Sequence, residues 1–315
     1  MAELVWNGKT ITTPGTYRNI PLSTYHGKRD LFDGPSISKS SLKHLLPVFG
    51  GSPKAFWGRW IENPNRVEGK TSDALDFGKC VHCLLLGDEV FKDAFEVRPE
   101  QWKDYKPKAA QEWRDAVRAA GKTPVTLDDL ERVRRIADDA ANYPEVRQGI
   151  LNGRVERTIA WKDEETGIWV RCRPDVLSNA DGVFADLKTC SSFSEDFLER
   201  QAFDACYWLQ GAMTRFVCRH LGMPFETFVL LYVLNNEVPD TTHVELSQHE
   251  LDRGERALRW SLRTIRQCLN NGSWPGARPF RGGESDLQLK PFHKSKIDDF
   301  LEREEALHHD ERAAA

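Results

Sequence analysis

A nearly continuous apolar run over residues 225–234 constrains the fold more than any other part of this sequence. Such a run is typical of a strand that is buried on both faces, because neither face has to meet water. Helical patterns lie on either side of it, over 195–221 and 247–269, and 241–246 is predicted as an edge strand. The pattern therefore predicts an α/β domain with a buried central strand.

The composition allows a large core and argues against several classes of protein. With 315 residues, 40% of them hydrophobic, the chain suits one elaborated α/β domain or about two domains. No apolar run approaches the ~20 residues that span a bilayer, and no secretory signal is visible at residues 1–6. Seven scattered cysteines indicate reduced thiols in a cytoplasmic protein, and the lack of a long apolar run argues against a membrane association. A net charge of −4 argues against coating nucleic acid through bulk positive charge, but not against holding it locally.

Four regions are predicted from the changes in pattern along the chain. The first includes a helix over 72–86 that carries His82, and the second is rich in charge and holds two predicted helices, 108–120 and 127–142. The regions are an N-terminal segment packed on the core (1–97), a charged helical insertion (98–149), the core itself (150–293) and a polar, helix-prone C-terminal tail (294–315).

Short strands with turn residues between them begin the third region. Strands over 154–161 and 168–177 are predicted to form a hairpin, and a third strand covers 182–187. The turn between the second and third strands would bring Asp175 close to Asp186 on the neighbouring strand. The region therefore predicts two adjacent carboxylates on one sheet.

Lys188 follows Asp186 by two residues, so both side chains are expected on the same face of the sheet. Paired carboxylates are hard oxygen ligands for Mg²⁺, which binds through one or two of them together with substrate phosphate. Such a metal lowers the pKa of bound water and neutralises charge on a transferring phosphoryl group. The lysine could orient or deprotonate the water, or stabilise phosphoryl oxygens. The alternative is a solvated ion pair at a strand edge.

Several motifs along residues 20–270 agree in order and spacing with one known family. The chain resembles the PD-(D/E)xK nuclease superfamily and, within it, the phage recombination exonucleases of the RecE (exonuclease VIII) type. The motifs that carry the resemblance are Tyr25-His26, Ser36-Ile37-Ser38-Lys39-Ser40-Ser41-Leu42-Lys43, Ser52-Pro53, Gly78 to Leu86, Glu164-Glu165-Thr166-Gly167, Cys172-Arg173-Pro174-Asp175, Asp186-Leu187-Lys188-Thr189 and Tyr207-Trp208-Leu209-Gln210.

The resemblance implies a restriction-endonuclease-like core, a central mixed sheet flanked by helices, with an N-terminal helical elaboration. It also implies a Mg²⁺-dependent exonuclease, with Mn²⁺ as a substitute, that resects double-stranded DNA ends from 5′ to 3′ and leaves 3′ single-stranded tails. Its expected partners are double-stranded DNA ends, a single-strand annealing protein and further copies of this chain in a ring. The expected setting is the cytoplasm of a bacterial host, with the chain encoded by a phage or prophage.

The resemblance assigns the core of the site residue by residue. Asp175 and Asp186 match the metal carboxylates, Lys188 the catalytic lysine and Gln210 a helix glutamine that orients substrate or lysine. The remaining assignments are His82 and the Leu187 backbone carbonyl as further metal ligands and Glu156 as a first-strand catalytic carboxylate. The alternatives are a core or capping histidine for His82 and a solvent-facing strand residue for Glu156.

The DNA contacts are expected at basic and aromatic residues near the carboxylates. Alternation places Arg171 and Arg173 on the face of Asp175. The other expected contacts are Ser38 and Lys39 at a helix start and Tyr207 in the long helix. Simple helix capping by Ser38 and a core role for Tyr207 are the alternatives. The family often has a tyrosine four residues after the helix glutamine, where this chain has Thr214, so that contact is in doubt.

Three functions remain open on the sequence. The first is the end-resecting exonuclease, the second a related nuclease for single-stranded or flap DNA, and the third a non-catalytic DNA-binding protein on the same fold. Cys80 and Cys83 have the spacing of a metal or redox pair, but without a second pair they are interpreted as packed helix thiols.

Overall fold

The computed structural model describes residues 3–67, 73–86, 95–178, 181–278 and 289–313. The strands within these residues are β1 (Leu4–Val5), β2 (Gly15–Arg18), β3 (Ser36–Ile37), β4 (Phe95–Val97), β5 (Thr123–Val125), β6 (Gly153–Val155), β7 (Thr158–Lys162), β8 (Trp169–Cys172), β9 (Val176–Ser178), β10 (Val183–Cys190), β11 (Thr227–Leu234) and β12 (Thr241–Glu245).

The helices alternate with these strands and reach 24 residues in length. They are α1 (Leu22–Gly27), α2 (Lys39–Leu42), α3 (Pro53–Trp57), α4 (Asp73–Leu85), α5 (Lys108–Ala119), α6 (Leu127–Asn142), α7 (Pro144–Arg147), α8 (Glu195–Asp204), α9 (Tyr207–His220), α10 (Gln248–Asn271) and α11 (Pro291–Ala313), with a 3₁₀ turn at Pro47–Phe49.

Two five-stranded sheets and one small pair form the β structure. The first sheet has the order β1-β2-β7-β8-β3, the second has the order β12-β11-β10-β9-β6, and β4 pairs with β5. The second sheet is mixed, because β10 and β11 are parallel while β12, β9 and β6 pair antiparallel with their neighbours. The predicted α/β fold with a central mixed sheet is confirmed.

Strand β11 lies inside the second sheet, paired on both sides, which explains its apolar sequence. Successive side chains of a strand point to opposite faces of the sheet, and helices cover both faces. The face under α9 and α10 receives Phe184, Phe228, Leu230 and Tyr232. The opposite face, under α4 and α6, receives Leu187, Leu231 and Val233. Asp186 and Lys188 therefore share the α9 face with Phe184.

The predicted hairpin is wrong in one respect, because each of its strands is divided between the two sheets. The first breaks at Glu156, whose φ of 59° is left-handed, and β6 and β7 join different sheets. The second breaks before Asp175, between β8 and β9. A backbone hydrogen bond joins the two breaks, because the Glu156 N–H donates to the Asp175 carbonyl over 3.2 Å.

The predicted long helix over 195–221 is two helices, α8 and α9, with Cys206 between them. Cys206 has a φ of 56°, which ends the helical hydrogen bonding of α8. Lysines from the N-terminal segment satisfy the carbonyls that this break frees: Lys39 Nζ donates to Ala205 over 3.0 Å, and Lys43 Nζ donates to Asp204. A contact distant in sequence thus stabilises the break.

The N-terminal segment and the charged insertion share the layers of the core. Strands β1 to β3 belong to the first sheet, and α4 packs against α6 and β10. Thr126 and Asp129 begin α6 with a reciprocal capping box, in which each side chain accepts from the other residue's backbone N–H.

Two compact units divide the chain, Met1–Gly276 and Ala277–Ala315. In the second unit, α11 agrees with the predicted helix-prone tail, and its described side chains up to residue 303 are exposed. Among the residues that the structure describes, no helix is both long and apolar enough to cross a membrane.

Candidate active site

The structure brings Asp175 and Asp186 together at the point where β9 begins. Val176 is the partner of Ala185 in the antiparallel pairing, which sets Asp175 beside Asp186. Asp175 immediately precedes β9, and Asp186 lies in the central strand β10, where it is 1% exposed. Lys188, two residues further along β10, brings its ammonium group into contact with Asp186 Oδ2. Two carboxylates and one ammonium group therefore meet at one position.

Each carboxylate is held by a different set of donors. Asp175 Oδ2 accepts a hydrogen bond of 2.7 Å from the Leu187 N–H and lies 3.4 Å from His82 Nδ1 on α4. Asp186 Oδ1 accepts a hydrogen bond of 2.7 Å from Gln210 Nε2 on α9. The helices on the two faces of the sheet therefore each fix one carboxylate.

These contacts separate the protonation behaviour of the two acids. Burial raises the pKa of Asp186, and the charge of Asp175 raises it further against the effect of Lys188. Burial acts in the same direction on Asp175, but His82, Lys188 and the Leu187 N–H outweigh it and lower its pKa. Asp175 is therefore the stronger acid of the two.

The neighbouring bases respond to the same carboxylates. Burial acts to lower the pKa of Lys188, but Asp186 and Asp175 outweigh it and raise the pKa well above its usual value. His82 behaves alike: burial opposes its charge, while Asp175 raises its pKa. In this arrangement Lys188 is an ammonium group at neutral pH and acts as a donor.

The donor set fits a divalent cation with oxygen preference. Asp186 Oδ2 forms an ion pair with Lys188, and Gln210 Oε1 is a buried oxygen without a hydrogen-bond partner within the described residues. The described part of the chain contains no cluster of three or more His, Cys, Asp or Glu side chains arranged for a metal. Mg²⁺ binds through one or two carboxylates and retains water or phosphate ligands, so Asp175 and Asp186 suffice.

The other two predicted metal ligands lie next to this carboxylate pair. His82 faces Asp175 through Nδ1. The Leu187 carbonyl lies on the same edge of β10 as its N–H, because both backbone groups of a strand residue point to one neighbour. That N–H contacts Asp175. Direct ligation by His82 and by the Leu187 carbonyl stays a prediction.

Glu156 does not lie within a strand as the sequence predicted, since it occupies the left-handed turn between β6 and β7. Its carboxylate forms an ion pair of 2.7 Å with Arg173 Nε. Burial raises the pKa of Glu156 and the positive charge of Arg173 opposes that shift. Glu156 therefore borders the site through its backbone contact with Asp175, and a catalytic role stays a prediction.

Arg171 does not have the predicted position for a phosphate contact. It is 4% exposed, its guanidinium donates to the Tyr25 carbonyl, and it lies 4.8 Å from the Tyr25 ring centroid. The prediction failed because β8 is covered on the side where Arg171 points. Arg173 donates to the Ile20 carbonyl over 2.9 Å besides its ion pair, so it too has protein partners.

Tyr207 lies beside Lys188 and Lys39, and Ser38 precedes Lys39 in the chain. The Tyr207 ring centroid is 4.6 Å from Lys188 Nζ and 5.3 Å from Lys39 Nζ. Burial, and next the charge of Lys188, lower the pKa of Lys39 to about 8. Ser38 precedes α2 with its Oγ 3.2 Å from that of Ser40, and it makes no side-chain capping bond. Lys39 and Lys188 thus place two ammonium groups at one aromatic ring.

Sequence reasoning missed Tyr232. It is the partner of Lys188 in the parallel pairing of β10 and β11, is 1% exposed and lies on the same face. The available signal was a hydroxyl-bearing residue inside an otherwise apolar strand.

Two further sequence interpretations can be compared with the structure. Thr214, at the position of the family tyrosine, folds back and donates its hydroxyl to the Gln210 carbonyl over 3.0 Å. Cys80 is buried in the core under α4, and all seven cysteines lie in the described residues without a disulfide. The burial of Cys80 and the absence of a disulfide in the described residues agree with packed thiols.

A mixed sheet that presents Asp175 beside Asp186 and Lys188, with helices on both faces, defines the PD-(D/E)xK class of fold and site. A family model described as a PDDEXK-like domain of unknown function (DUF3799) matches residues 38–281. The chain belongs to this family, which confirms the predicted superfamily.

One solved structure has a similar fold over most of its length. The crystal structure of a "putative exonuclease" from Eubacterium rectale superimposes with a TM-score of 0.59 at 14% identity, over 87% of this chain and 96% of that one. At this identity the similarity concerns the fold. Among curated proteins, none matches the sequence.

Proposed function

We propose that this protein is a Mg²⁺-dependent exodeoxyribonuclease that hydrolyses phosphodiester bonds at the ends of double-stranded DNA. We further propose that it digests from 5′ to 3′ in a bacterial cytoplasm and leaves 3′ tails for annealing-type recombination. The observation that carries the proposal is the contact between Asp186, Lys188 and Gln210 with Asp175 alongside. Membership of a PDDEXK-like family and the fold shared with the bacterial protein support it.

Asp175 and Asp186 would hold the cation, and Mn²⁺ should replace Mg²⁺ because both accept carboxylate and water oxygens. When bound, the cation lowers the pKa of water and neutralises charge on the phosphoryl group. His82 and the Leu187 N–H keep Asp175 ionised and oriented. Gln210 fixes the rotation of the Asp186 carboxylate through Oδ1.

Lys188 supplies positive charge where the phosphoryl oxygens gain negative charge. Its ammonium already contacts Asp186, so we propose that it stabilises charge on the phosphoryl oxygens rather than accepting a proton. Because the ammonium is already in place beside Asp186, it needs little reorganisation when DNA binds. This proposal takes one of the roles of Lys188 that the sequence left open.

The DNA strand would reach the site past Lys39 and Tyr207. A chain with a net charge of −4 needs local cations to hold a phosphate backbone. Lys39 shares the Tyr207 ring with Lys188, so one phosphate next to the reacting one could contact Lys39 while the reacting one contacts Lys188. Arg171 takes no part in this path because it is buried.

The test compares DNA substrates that differ in ends and strandedness. Purified protein is incubated with end-labelled linear duplex, covalently closed circle, single strand and flap DNA, with Mg²⁺ or with EDTA. We expect Mg²⁺-dependent loss of linear duplex, release of label first from the 5′ end, and no cutting of the circle. Cutting of circles would indicate an endonuclease, and cleavage restricted to single strands or flaps would favour the second function named above.

A matched variant separates catalysis from binding. Asp186→Asn keeps the shape of the side chain and removes its charge, so we expect cleavage to fall by about 100-fold or more while duplex binding persists. Unaltered cleavage in this variant would exclude the assigned site. Binding of duplex by the wild type without cleavage would favour the non-catalytic DNA-binding function.

We also propose that the protein forms a ring-like oligomer and works with a single-strand annealing protein. Both proposals rest on the family resemblance. Size exclusion with light scattering on the full chain should give a mass that is a multiple of 36.0 kDa. A monomer at all concentrations would contradict the ring.

A further inference from the structure

Tyr232 carries a hydroxyl group with no hydrogen-bond partner in the described part of the chain, although the residue is 1% exposed. Natural proteins satisfy nearly all buried polar groups, so an unpaired buried hydroxyl points to a polar ligand that arrives from outside the chain. A phenylalanine would pack in the same place at no such cost. The hydroxyl is therefore a candidate for binding water or another polar ligand.

The position of Tyr232 connects this hydroxyl with the candidate active site. Its Cα is the partner of Lys188 across two parallel strands, which lie about 4.8 Å apart in such a sheet. Both side chains point to the face under α9, since Tyr232 packs with Phe184 and Phe228 there. The Tyr232 side chain therefore runs alongside that of Lys188.

A second buried polar atom without a hydrogen-bond partner in the described residues belongs to the same site. It is Oε1 of Gln210, whose Nε2 binds Asp186. Tyr232 on β11 and Gln210 on α9 thus each leave one polar atom near Lys188 without a protein partner. The phenol supplies a donor and the amide oxygen an acceptor, which is the set that one water molecule requires.

Electrostatics keep the Tyr232 hydroxyl in its donor form. Burial raises the pKa of Tyr232 far above neutral pH, the neighbouring Tyr207 adds to the shift, and the positive charge of Lys188 opposes it. The phenol is therefore protonated under all ordinary conditions and can donate one hydrogen bond.

We propose that the Tyr232 hydroxyl and Gln210 Oε1 bind the water molecule that attacks the phosphorus of DNA, beside the Lys188 ammonium. This proposal rests on the nuclease function proposed above. The water accepts from Tyr232 and donates one O–H to Gln210, and loss of its other proton to bulk water supplies the lone pair that attacks the phosphorus. The water oxygen forms the new bond to phosphorus, the bond from phosphorus to one bridging oxygen breaks, and the leaving oxygen takes up a proton from bulk water.

The test replaces Tyr232 by phenylalanine, which removes only the hydroxyl. We expect kcat for linear duplex to fall roughly 10- to 100-fold, the size typical of losing one hydrogen bond that orients a reacting group. KM should remain unchanged, because the hydroxyl contacts the water and not the DNA. The midpoint of thermal unfolding should stay the same or rise, because no hydrogen bond of the resting protein is lost.

Tyr17→Phe is the matched control, since it removes a hydroxyl from a buried strand tyrosine that does have a partner. Tyr17 lies on β2 in the first sheet, whereas Asp186 lies on β10 in the second sheet. The Tyr17 hydroxyl donates to the Thr13 carbonyl. This variant should unfold at a lower temperature and keep the wild-type kcat.

Each outcome decides the proposal. A Tyr232→Phe enzyme with the wild-type kcat would overturn it, and so would a fall in kcat that comes with a lower unfolding temperature, because that marks a structural hydroxyl. A wild type without nuclease activity would overturn the proposed function itself and this proposal with it. An active wild type with an unaffected variant overturns only the assignment of Tyr232.

Discussion

The packing between α9 and α10 should determine both the stability of the protein and the alignment of Gln210. Gly254 on α10 faces α9 so closely that an added Cβ would lie 2.3 Å from the Cβ of Ala212 and 2.8 Å from the Trp208 carbonyl oxygen. Trp208 and Ala212 lie on either side of Gln210 in the chain. Gly254→Ala should therefore push α9 away at the turn that carries Gln210.

The magnitude follows from two opposing effects. Overpacking a close contact costs about 1–3 kcal/mol. Replacing glycine by alanine inside a helix returns up to about 1 kcal/mol. With the full gain, the free energy of unfolding should fall by up to about 2 kcal/mol as the balance of the two. The hydrogen bond of 2.7 Å between Gln210 and Asp186 should lengthen, and kcat should fall roughly tenfold, since displacements of about 1 Å at a reacting centre can cost 100-fold.

Urea denaturation and the rate of duplex cleavage measure the two effects. Gly78→Ala on α4 is the matched control for stability, because its Cβ would meet only Thr189 Oγ1 at 3.7 Å, an ordinary contact. That variant should gain up to about 1 kcal/mol. A Gly254→Ala protein as stable and as active as the wild type would refute the claim that this contact aligns Gln210.

Two further predictions concern charged residues near the site. As pH rises from about 7 to about 9, Lys39 passes its pKa of about 8 and loses its positive charge, so DNA affinity should fall; Lys39→Arg should hold its affinity over this range. An equal fall in both proteins, measured by fluorescence anisotropy with an Asp186→Asn background, would exclude Lys39 as the group responsible. Arg171→Met should lower the free energy of unfolding by about 1–3 kcal/mol, because the Tyr25 carbonyl loses its buried donor, and leave KM for DNA unchanged. A raised KM with unchanged stability would instead restore Arg171 as a phosphate contact.

The carboxylate pair was predictable because it depends only on local rules. A two-residue period sets Asp186 and Lys188 on one face, and a short turn returns the neighbouring strand beside them. The apolar run identified β11 as a central strand for the same kind of reason, since burial on both faces removes polar residues. These features need no knowledge of distant contacts.

The parts that could not be predicted depend on contacts far apart in sequence. The helix break at Cys206 is stabilised by Lys39 and Lys43, more than 160 residues earlier in the chain. Cysteine has no preference for a left-handed conformation, so no local pattern marks the break. The division of the hairpin at Glu156 has the same origin, because a backbone bond to Asp175 and an ion pair with Arg173 hold it.

The directions of side chains after an irregular turn could also not be predicted from the sequence. Alternation along a continuous strand placed Arg171 and Arg173 on the face of Asp175, but the strand ends at Cys172 and the alternation ends with it. Tyr232 was missed because a tyrosine in an apolar strand is ordinarily core, and only its unpaired hydroxyl beside Lys188 distinguishes it.

The location of a bound divalent cation tests the central claim most directly. Crystals of the protein soaked with Mn²⁺ should show an anomalous scattering peak in contact with carboxylate oxygens of both Asp175 and Asp186. Asp175→Asn/Asp186→Asn crystals should lack that peak under the same conditions. A Mn²⁺ site elsewhere on the chain that supports cleavage, or cleavage that persists in the double variant, would contradict the account.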